Sequence, residues 1–506
     1  MAIISYLCVN YMERREQDDS YRHVLKYTGV FGGVQGLKIF VTLVRNKLAS
    51  TILGKVGMGV NSIFMNISEI LNSWTNFGIP FYAVRRISEL YEEGTDDDMR
   101  RFVGVIRTWS IWSALIGATL CFFLANWLNN HYFPEGEQHT FEIMLLSLFV
   151  ASLPIEAVEC SLMKGLRQLR AVACIEVMVA LSTLVFTIPV YYFLGIRGIV
   201  LSLVLCGWSA ALLHLFFSVR LYPYRVKLFS RSVVREGWPL IRIGLPYVLA
   251  AVAGAMATGE VFSYLDDTGQ VGLYRAGYGL MVTYAGMVFV AVEADYFPRL
   301  SSINHDTERL NHAINQQIDV CVLLMAPILI LLVIMMPWVV RLLWTSEFLP
   351  VAPMAVCAVF YMFFRAVTVP IAYTSLAKGD SWLYLIMESI YDITFVLILR
   401  FGYSHWGLLG AGIALSTAAL FDLLMIGSVY SILYHLRLRY RTAIMVVPQG
   451  LLLSATVAAY FLLSGIQMYL VGLSALIISA TYSFRLLSRD LPEIAFVAKI
   501  KRKLGL

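Results

Sequence analysis

Charge is scarce in this 506-residue chain: 14% of residues are Asp, Glu, Lys or Arg, against 59% hydrophobic. A soluble domain carries roughly 25% charged and 45–50% apolar residues, so a deficit this large excludes a fold whose solvent is water. Catalytic signatures are missing as well. No Walker A loop, HExxH or GxSxG sequence occurs, which excludes an ATPase of the P-loop kind and the commonest metalloprotease and serine-hydrolase sites. None of the seven cysteines stands in a CxxC pair. Six of them (Cys121, Cys160, Cys174, Cys206, Cys321 and Cys357) fall within apolar runs, and spacing implies neither a disulfide framework nor a zinc site. Long linkers and low-complexity segments are absent, and no soluble domain is expected. A secretory leader is not expected either, because the weakly apolar Met1–Asn10 runs into the charged stretch Glu13–Asp19; Met12 is an alternative start.

What the chain does have is a succession of apolar runs about 20 residues long without period-two alternation, which are membrane helices and not barrel strands. Fourteen spans are predicted: 28–48, 58–82, 105–127, 141–162, 172–193, 198–219, 242–262, 272–296, 317–338, 352–374, 382–400, 407–434, 444–464 and 468–487. Threaded through them, the loops on the side of the N-terminus hold 30 basic residues and the opposite loops six, with Arg107 at the mouth of the third span counted among the 30. That asymmetry places both termini in the cytoplasm. It also accounts for the net charge of +6, so no nucleic-acid partner is expected; basic loops beside membrane lipids suffice.

A repeat is visible. Gly54-Lys-Val-Gly57 and Gly269-Gln-Val-Gly272 lie 215 residues apart, Lys164-Gly165 and Lys378-Gly379 214 apart, and Gly198-Ile-Val-Leu-Ser202 and Gly412-Ile-Ala-Leu-Ser416 214 apart; Pro80 and Pro298 lie 218 apart. The unit is six helices, an even number, so the two copies share one orientation and are expected to form two six-helix lobes related by a pseudo-two-fold along the membrane normal. The expected divisions are 1–220 for the first lobe, 221–441 for the second, and 442–506 for two further helices with a basic tail.

Charges within spans are expensive, at least about 2.5–3.5 kcal/mol each at the bilayer centre, and mark partners or cavities. Lys38 lies roughly 15 Å into the first span and Glu69 at a similar depth in the second; they form either a structural ion pair or a site with Lys38 on substrate. Arg45 and Lys47, near the outer end of the first span, either snorkel or form a basic rim. Glu260 and Arg275 stand at similar height and are expected to pair, or else Arg275 is an anion site. Arg365, with Asp392 and Asp422 at middle depth, is either a neutralised packing network or a substrate- or ion-sensing group. Glu156, Glu159 and Glu176 near Arg167 and Arg170, and Glu293 near Arg299, are expected to form gate or interfacial salt bridges. His214 is read as a packed polar residue. The outer loops are short, the longest running from Asn129 to Thr140, which speaks against a membrane glycan polymerase or ligase.

Several stretches resemble the Wzx-type flippases of lipid-linked oligosaccharides, in the multidrug/oligosaccharidyl-lipid/polysaccharide exporter superfamily. They are Asn76-Phe-Gly-Ile-Pro80 with Val84-Arg-Arg86, Leu162-Met-Lys-Gly-Leu-Arg167, Val271-Gly-Leu-Tyr274 through Phe297-Pro-Arg-Leu-Ser301, and Leu376-Ala-Lys-Gly379. The motifs are short and degenerate; their order and spacing, over residues 24 to 487, carry the resemblance. It implies an all-α polytopic fold of two lobes in a MATE- or MurJ-like V plus two C-terminal helices that can hold a lipid tail. It implies a non-enzymatic flippase that turns undecaprenyl-pyrophosphate-linked repeats across the bacterial inner membrane for O-antigen, lipopolysaccharide or capsule synthesis. It further implies basic cavity residues for the pyrophosphate, placed by span position on Lys38, Arg45, Lys47, Arg275 and Arg365. Glu69, Glu260, Asp392 and Asp422 are then cavity or coupling acids, Glu156, Glu159, Arg167, Arg170, Glu293 and Arg299 gate residues, and no metal is implied. No cofactor is expected beyond an H+ or Na+ gradient. Expected partners are the lipid-linked substrate, membrane lipids, a polymerase and glycosyltransferases. A drug/cation antiporter of the same superfamily is the alternative, and the buried cations argue against its acid-lined cavity.

Overall fold

The computed structural model describes residues 20–134, 136–226, 231–286 and 305–490, with 296, 300, 301 and 303 between them. Described backbone is almost entirely helical, as it must be where lipid offers no hydrogen bonds. The helices are α1 (Ser20–Thr75), α2 (Ile79–Glu93), α3 (Asp96–Tyr132), α4 (Thr140–Gly165), α5 (Leu169–Leu194), α6 (Ile199–Leu221) and α7 (Arg231–Ser263). They continue with α8 (Thr268–Gly279), α9 (Thr307–Leu343), α10 (Val351–Lys378), α11 (Ser381–Leu433), α12 (Tyr440–Leu462) and α13 (Ile466–Asp490). Among the described residues, ten helices are long and apolar enough to cross a membrane. This is a multi-pass membrane protein.

Ten is fewer than fourteen because three pairs of predicted neighbours are each counted as one run broken at a glycine, and the predicted eighth span is described only in part. A straight 56-residue α1 would be about 84 Å long at 1.5 Å per residue, more than twice the roughly 30 Å of hydrocarbon. It is interrupted at Gly54 (φ 64°, ψ −170°), and the 53-residue α11 at Gly407 (φ 54°, ψ −137°). The turn between α5 and α6 begins in the same way, at Gly195 (φ 57°, ψ −138°). In all three, another glycine follows three residues later: Gly57, Gly198 and Gly410. The first supplies a positive φ that a Cβ would strain. The second allows close approach: a Cβ on Gly410 would lie 1.8 Å from the Gly402 carbonyl oxygen, and one on Gly198 2.9 Å from that of Val190. Of the two GxxG stretches noticed as a repeat, Gly54–Gly57 is thus a helix reversal, whereas Gly269–Gly272 lies within α8 without a positive φ. The predicted eighth span, 272–296, is described only to residue 286 and at 296, and includes a π-helical turn, Leu280–Ala285.

Three of the family-like motifs include turns. Asn76 accepts from the Gly78 N–H through Oδ1 at 2.8 Å, and Phe77 and Gly78 both have positive φ, which turns α1 into α2. Gly165, at the end of α4, packs so tightly that an added Cβ would sit 2.6 Å from Ile87 on α2. Arg167 (φ 56°) follows in the left-handed region, with Gln168 N–H bonding back to the Met163 carbonyl. Gly379 (φ 80°) does the same after α10, where Asp380 N–H bonds to the Ser375 carbonyl.

By internal contacts the chain divides into two compact units, Met1–Val271 and Gly272–Leu506. In the first, α4 is central, packed on α3, α6 and α2, while α5 bridges α1 and α6. In the second, α10 is the most enclosed span, with 78% of its apolar window buried, and packs on α9 and both arms of α11; α9 also carries α12 and α13. Gln449 on α12 joins α13 by hydrogen bonds with Ser479 (2.6 Å) and Ser483 (2.9 Å), a polar clasp of the kind that holds helices together in lipid.

Candidate substrate site

The first unit gathers most of the intramembrane charge. Lys38, on the first arm of α1, pairs through its ammonium with the Glu176 carboxylate on α5. The expected pairing with Glu69 does not form. Glu69 lies beyond the break at Gly54 and is exposed, whereas Lys38 faces α5. Matching depth was not enough, because depth says nothing about which way each residue points around its helix. The Lys38 and Glu176 side chains keep 40% and 26% of their exposure, so Lys38 stays accessible to a ligand.

Two turns beyond Lys38, Arg45 lines a cavity of about 250 Å³ between α1, α4, α5 and α6, together with Asn61, Glu156, Thr183 and Tyr191. Arg45 Nη2 donates to Asn46 Oδ1 at 3.1 Å, and Tyr191 Oη to Asn61 Oδ1 at 3.5 Å. A volume below the usual 300–1,000 Å³ of small-molecule pockets admits a phosphate or a single sugar, not a whole lipid-linked oligosaccharide. Lys47 is half-buried further along α1, outside this lining.

The expected cluster of Glu156, Glu159 and Glu176 with Arg167 and Arg170 is rearranged. Glu159 is buried and held in a fork by Arg107 (2.7 and 2.9 Å), while Ser218 Oγ donates to it at 2.5 Å. Arg107 is thus corrected from a loop cation to a fully buried one. Its remaining N–H groups reach the carbonyls of Tyr222 (2.9 Å) and Pro223 (3.1 Å) and the Ser218 hydroxyl (3.2 Å), and its guanidinium lies 5.0 Å from the Tyr224 ring centre. Sequence position at a span mouth concealed it; the signal was the planar fork of an arginine with a glutamate on a neighbouring span. Arg167 pairs instead with Glu92 on α2. Glu156 stands 3.9 Å from His214 on α6, and Arg170 is half-buried at the start of α5. Glu293 and Arg299 lie outside the described residues. On the exposed face of α2, the guanidinium groups of Arg86 and Arg85 hold the Glu89 carboxyl below its usual range.

Near the other ends of these helices, Glu260 on α7 meets His131 on α3 at 3.1 Å, which is not the partner expected from the sequence. In the second unit Arg275 is half-buried with its guanidinium 5.5 Å from the Tyr278 ring centre. Arg365 on α10 and Asp422 on the second arm of α11 meet at 3.5 Å, as their depths suggested, with the Asp422 side chain 4% exposed. Glu388 lies within electrostatic range on the first arm, and Asp392 is half-buried one turn further on.

A sequence profile of the family described as polysaccharide biosynthesis protein matches residues 49–353. No curated protein matches in sequence. Among solved structures, the chain is similar to lipid II flippase MurJ in an inward closed conformation, with a TM-score of 0.70 and 13% identity over 92% of this chain and 100% of that one. It is also similar to an inward-facing multidrug resistance MATE family transporter of the MOP superfamily (TM-score 0.60, 13% identity, 78% of this chain and 95% of that one). A Vibrio cholerae MATE transporter mutant gives a TM-score of 0.55 at 14% identity, over 81% and 98% of the two chains. All of these are transporters, and at such identities what is shared is the fold. The profile covers well over half of the chain, from the end of the first arm of α1 to the start of α10: a multi-pass membrane protein with the fold of MOP transporters, it belongs to the polysaccharide biosynthesis protein family.

Proposed function

We propose that this protein is a flippase that moves a polyprenyl-pyrophosphate-linked oligosaccharide, of the undecaprenyl kind, across a bacterial inner membrane by alternating access, with both termini in the cytoplasm. The observation that carries this reading is the family match: a polysaccharide-building pathway needs a membrane transporter wherever sugars are assembled on a lipid on one side and used on the other. The similarity to a lipid II flippase over the whole of that chain supports it. So do the cations. A pyrophosphate cannot cross hydrocarbon bare, and fixed basic groups in a wet cavity replace its hydration. Lys38, Arg45 and Lys47 in the first unit and Arg275 and Arg365 in the second are the groups proposed for this role. An H+ or Na+ gradient is the proposed drive, with no other cofactor and no chemical step. O-antigen, capsule or related glycan synthesis is the proposed setting, beside a polymerase and glycosyltransferases.

Two outcomes test this. Deleting the gene is expected to accumulate polyprenyl-linked repeats on the cytoplasmic side, and a Lys38→Ala/Arg275→Ala double variant that folds is expected not to restore the surface glycan. Full restoration would overturn the cavity-cation proposal. Glu176→Gln separates the two readings of Lys38. If Lys38 holds substrate, this variant keeps transport because the ammonium remains; if the pair only holds helices together, Glu176→Gln and Lys38→Ala lose activity alike.

A further inference from the structure

Three helices of the first unit bring a thiol, a carboxylate and an imidazole to one point. The ligand atoms of Cys160 on α4, Glu176 on α5 and His214 on α6 lie within 4.8 Å of one another. No cysteine or histidine spacing along the chain announces this, because each residue comes from a different span.

The histidine carries the decisive detail. His214 is wholly buried, and its Nδ1 lies 3.0 Å from the Ala210 carbonyl oxygen one turn earlier. A carbonyl only accepts, so the ring proton sits on Nδ1. That leaves a lone pair on Nε2, which is buried without a hydrogen-bond partner. Metal-bound histidines have this arrangement: one ring nitrogen donates to a carbonyl, which fixes the tautomer, and the other faces the ion. A histidine that merely packed would leave that nitrogen desolvated with no return. Cys160 is a free thiol.

We propose that Cys160, Glu176 and His214 form a binding site for a thiophilic divalent cation of the Zn²⁺ class. Nitrogen, sulfur and one carboxylate oxygen are the donor set of zinc, whereas Mg²⁺ and Ca²⁺ require oxygens. Tetrahedral ligands at 2.0–2.3 Å from zinc stand about 3.3–3.8 Å apart, so rotamer changes suffice to close the site. Binding releases one proton from the Cys160 thiol to solvent. The ion with a thiolate, a carboxylate and a neutral imidazole is then uncharged as a unit, which suits a low-dielectric site. A water fills the fourth position; Glu156, one turn before Cys160 on α4, lies 3.9 Å from Nδ1 of His214, the nitrogen turned to the Ala210 carbonyl. Glu176 also holds Lys38, so metal and ammonium compete for one carboxylate. This proposal does not depend on what the protein transports.

The test uses purified, untagged full-length protein in detergent. Zn²⁺ is titrated against a chromophoric chelator, and Co²⁺ is added separately for its thiolate charge-transfer absorption. One ion per chain is expected, with the Co²⁺–thiolate band present in wild type and in Cys174→Ser but absent in Cys160→Ser. Cys160→Ser and His214→Gln are each expected to weaken Zn²⁺ binding by about 100-fold or more, beyond the 10–100-fold of second-shell changes; Lys38→Gln is expected to tighten it. Cys160→Ser is nearly isosteric, so it tests the site even if the histidine variant does not fold. Folded wild type that takes no Zn²⁺, binding unchanged in Cys160→Ser, or equal competition by Mg²⁺ would each overturn the proposal.

Discussion

Arg107→Met removes most of the folded protein from the membrane. The substitution leaves the Glu159 carboxylate buried with only the Ser218 hydroxyl donating to it, and it strips the Tyr222 and Pro223 carbonyls of their donor. Removing one partner of a buried ion pair costs about 3–5 kcal/mol, a large share of the 5–15 kcal/mol that holds a typical fold. Arg107→Lys is expected to recover only part of the loss, because an ammonium cannot serve a forked carboxylate and two carbonyls in one plane. The informative variant is the double one, Arg107→Met/Glu159→Leu. Replacing both ions by apolar groups of similar volume is often neutral or stabilising, so it is expected to recover most of the single variant's loss. Detergent-solubilised protein followed by size-exclusion chromatography on heating distinguishes the cases. A single variant that melts within two degrees or so of wild type would show that the network stabilises little. A double variant as unstable as the single one would place the cost in the carbonyls of the α6–α7 loop rather than in the charge.

Gly410→Leu is the second change expected to be severe. In α11 the two arms fold back at Gly407, and a Cβ at position 410 would stand 1.8 Å from the Gly402 carbonyl oxygen. Backbone cannot yield as a side chain can, so the cost is expected to exceed the 1–3 kcal/mol of ordinary overpacking. Gly407→Ala tests the other half of the motif: it keeps the space but places a Cβ at φ 54°, for about 1–3 kcal/mol of strain. Gly427→Ala is the control. It sits within the second arm with open space around it and is expected to be neutral, or stabilising by up to about 1 kcal/mol through helix propensity. If all three variants melt together, close approach at the reversal is not what limits α11.

Much of the fold was legible from residues alone, for physical reasons. Lipid solvent forces apolar runs of membrane length and helical backbone, so composition and run length led directly to a multi-pass helical protein. Gly54-Lys-Val-Gly57 and Asn76-Phe-Gly fall where the chain turns, since positive φ and close backbone contact leave few alternatives to glycine. The predicted divisions between 28–48 and 58–82 and between 382–400 and 407–434 fall at the breaks of α1 and α11, Gly54 and Gly407, although one helical run continues across each.

The site was legible in height and not in direction. A rise of 1.5 Å per residue put Arg365 and Asp422 at one depth, and they meet. The same reasoning put Lys38 beside Glu69, whereas Lys38 faces Glu176. Each residue also turns the side chain by 100° around the helix, and which neighbour it then meets is set by how the helices pack. Arg107 shows the limit from another side: charge at a span mouth looks like loop charge until Glu159, Ser218 and two carbonyls close around it. Composition and spacing, then, decided that this chain is a bundle of membrane helices, where it turns, and how deep its charges lie. Only tertiary packing decided which charges share a partner and that Cys160, Glu176 and His214 stand together, because rotation about a helix axis and the choice of neighbour are settled by the fit of whole surfaces and leave no mark at any one position.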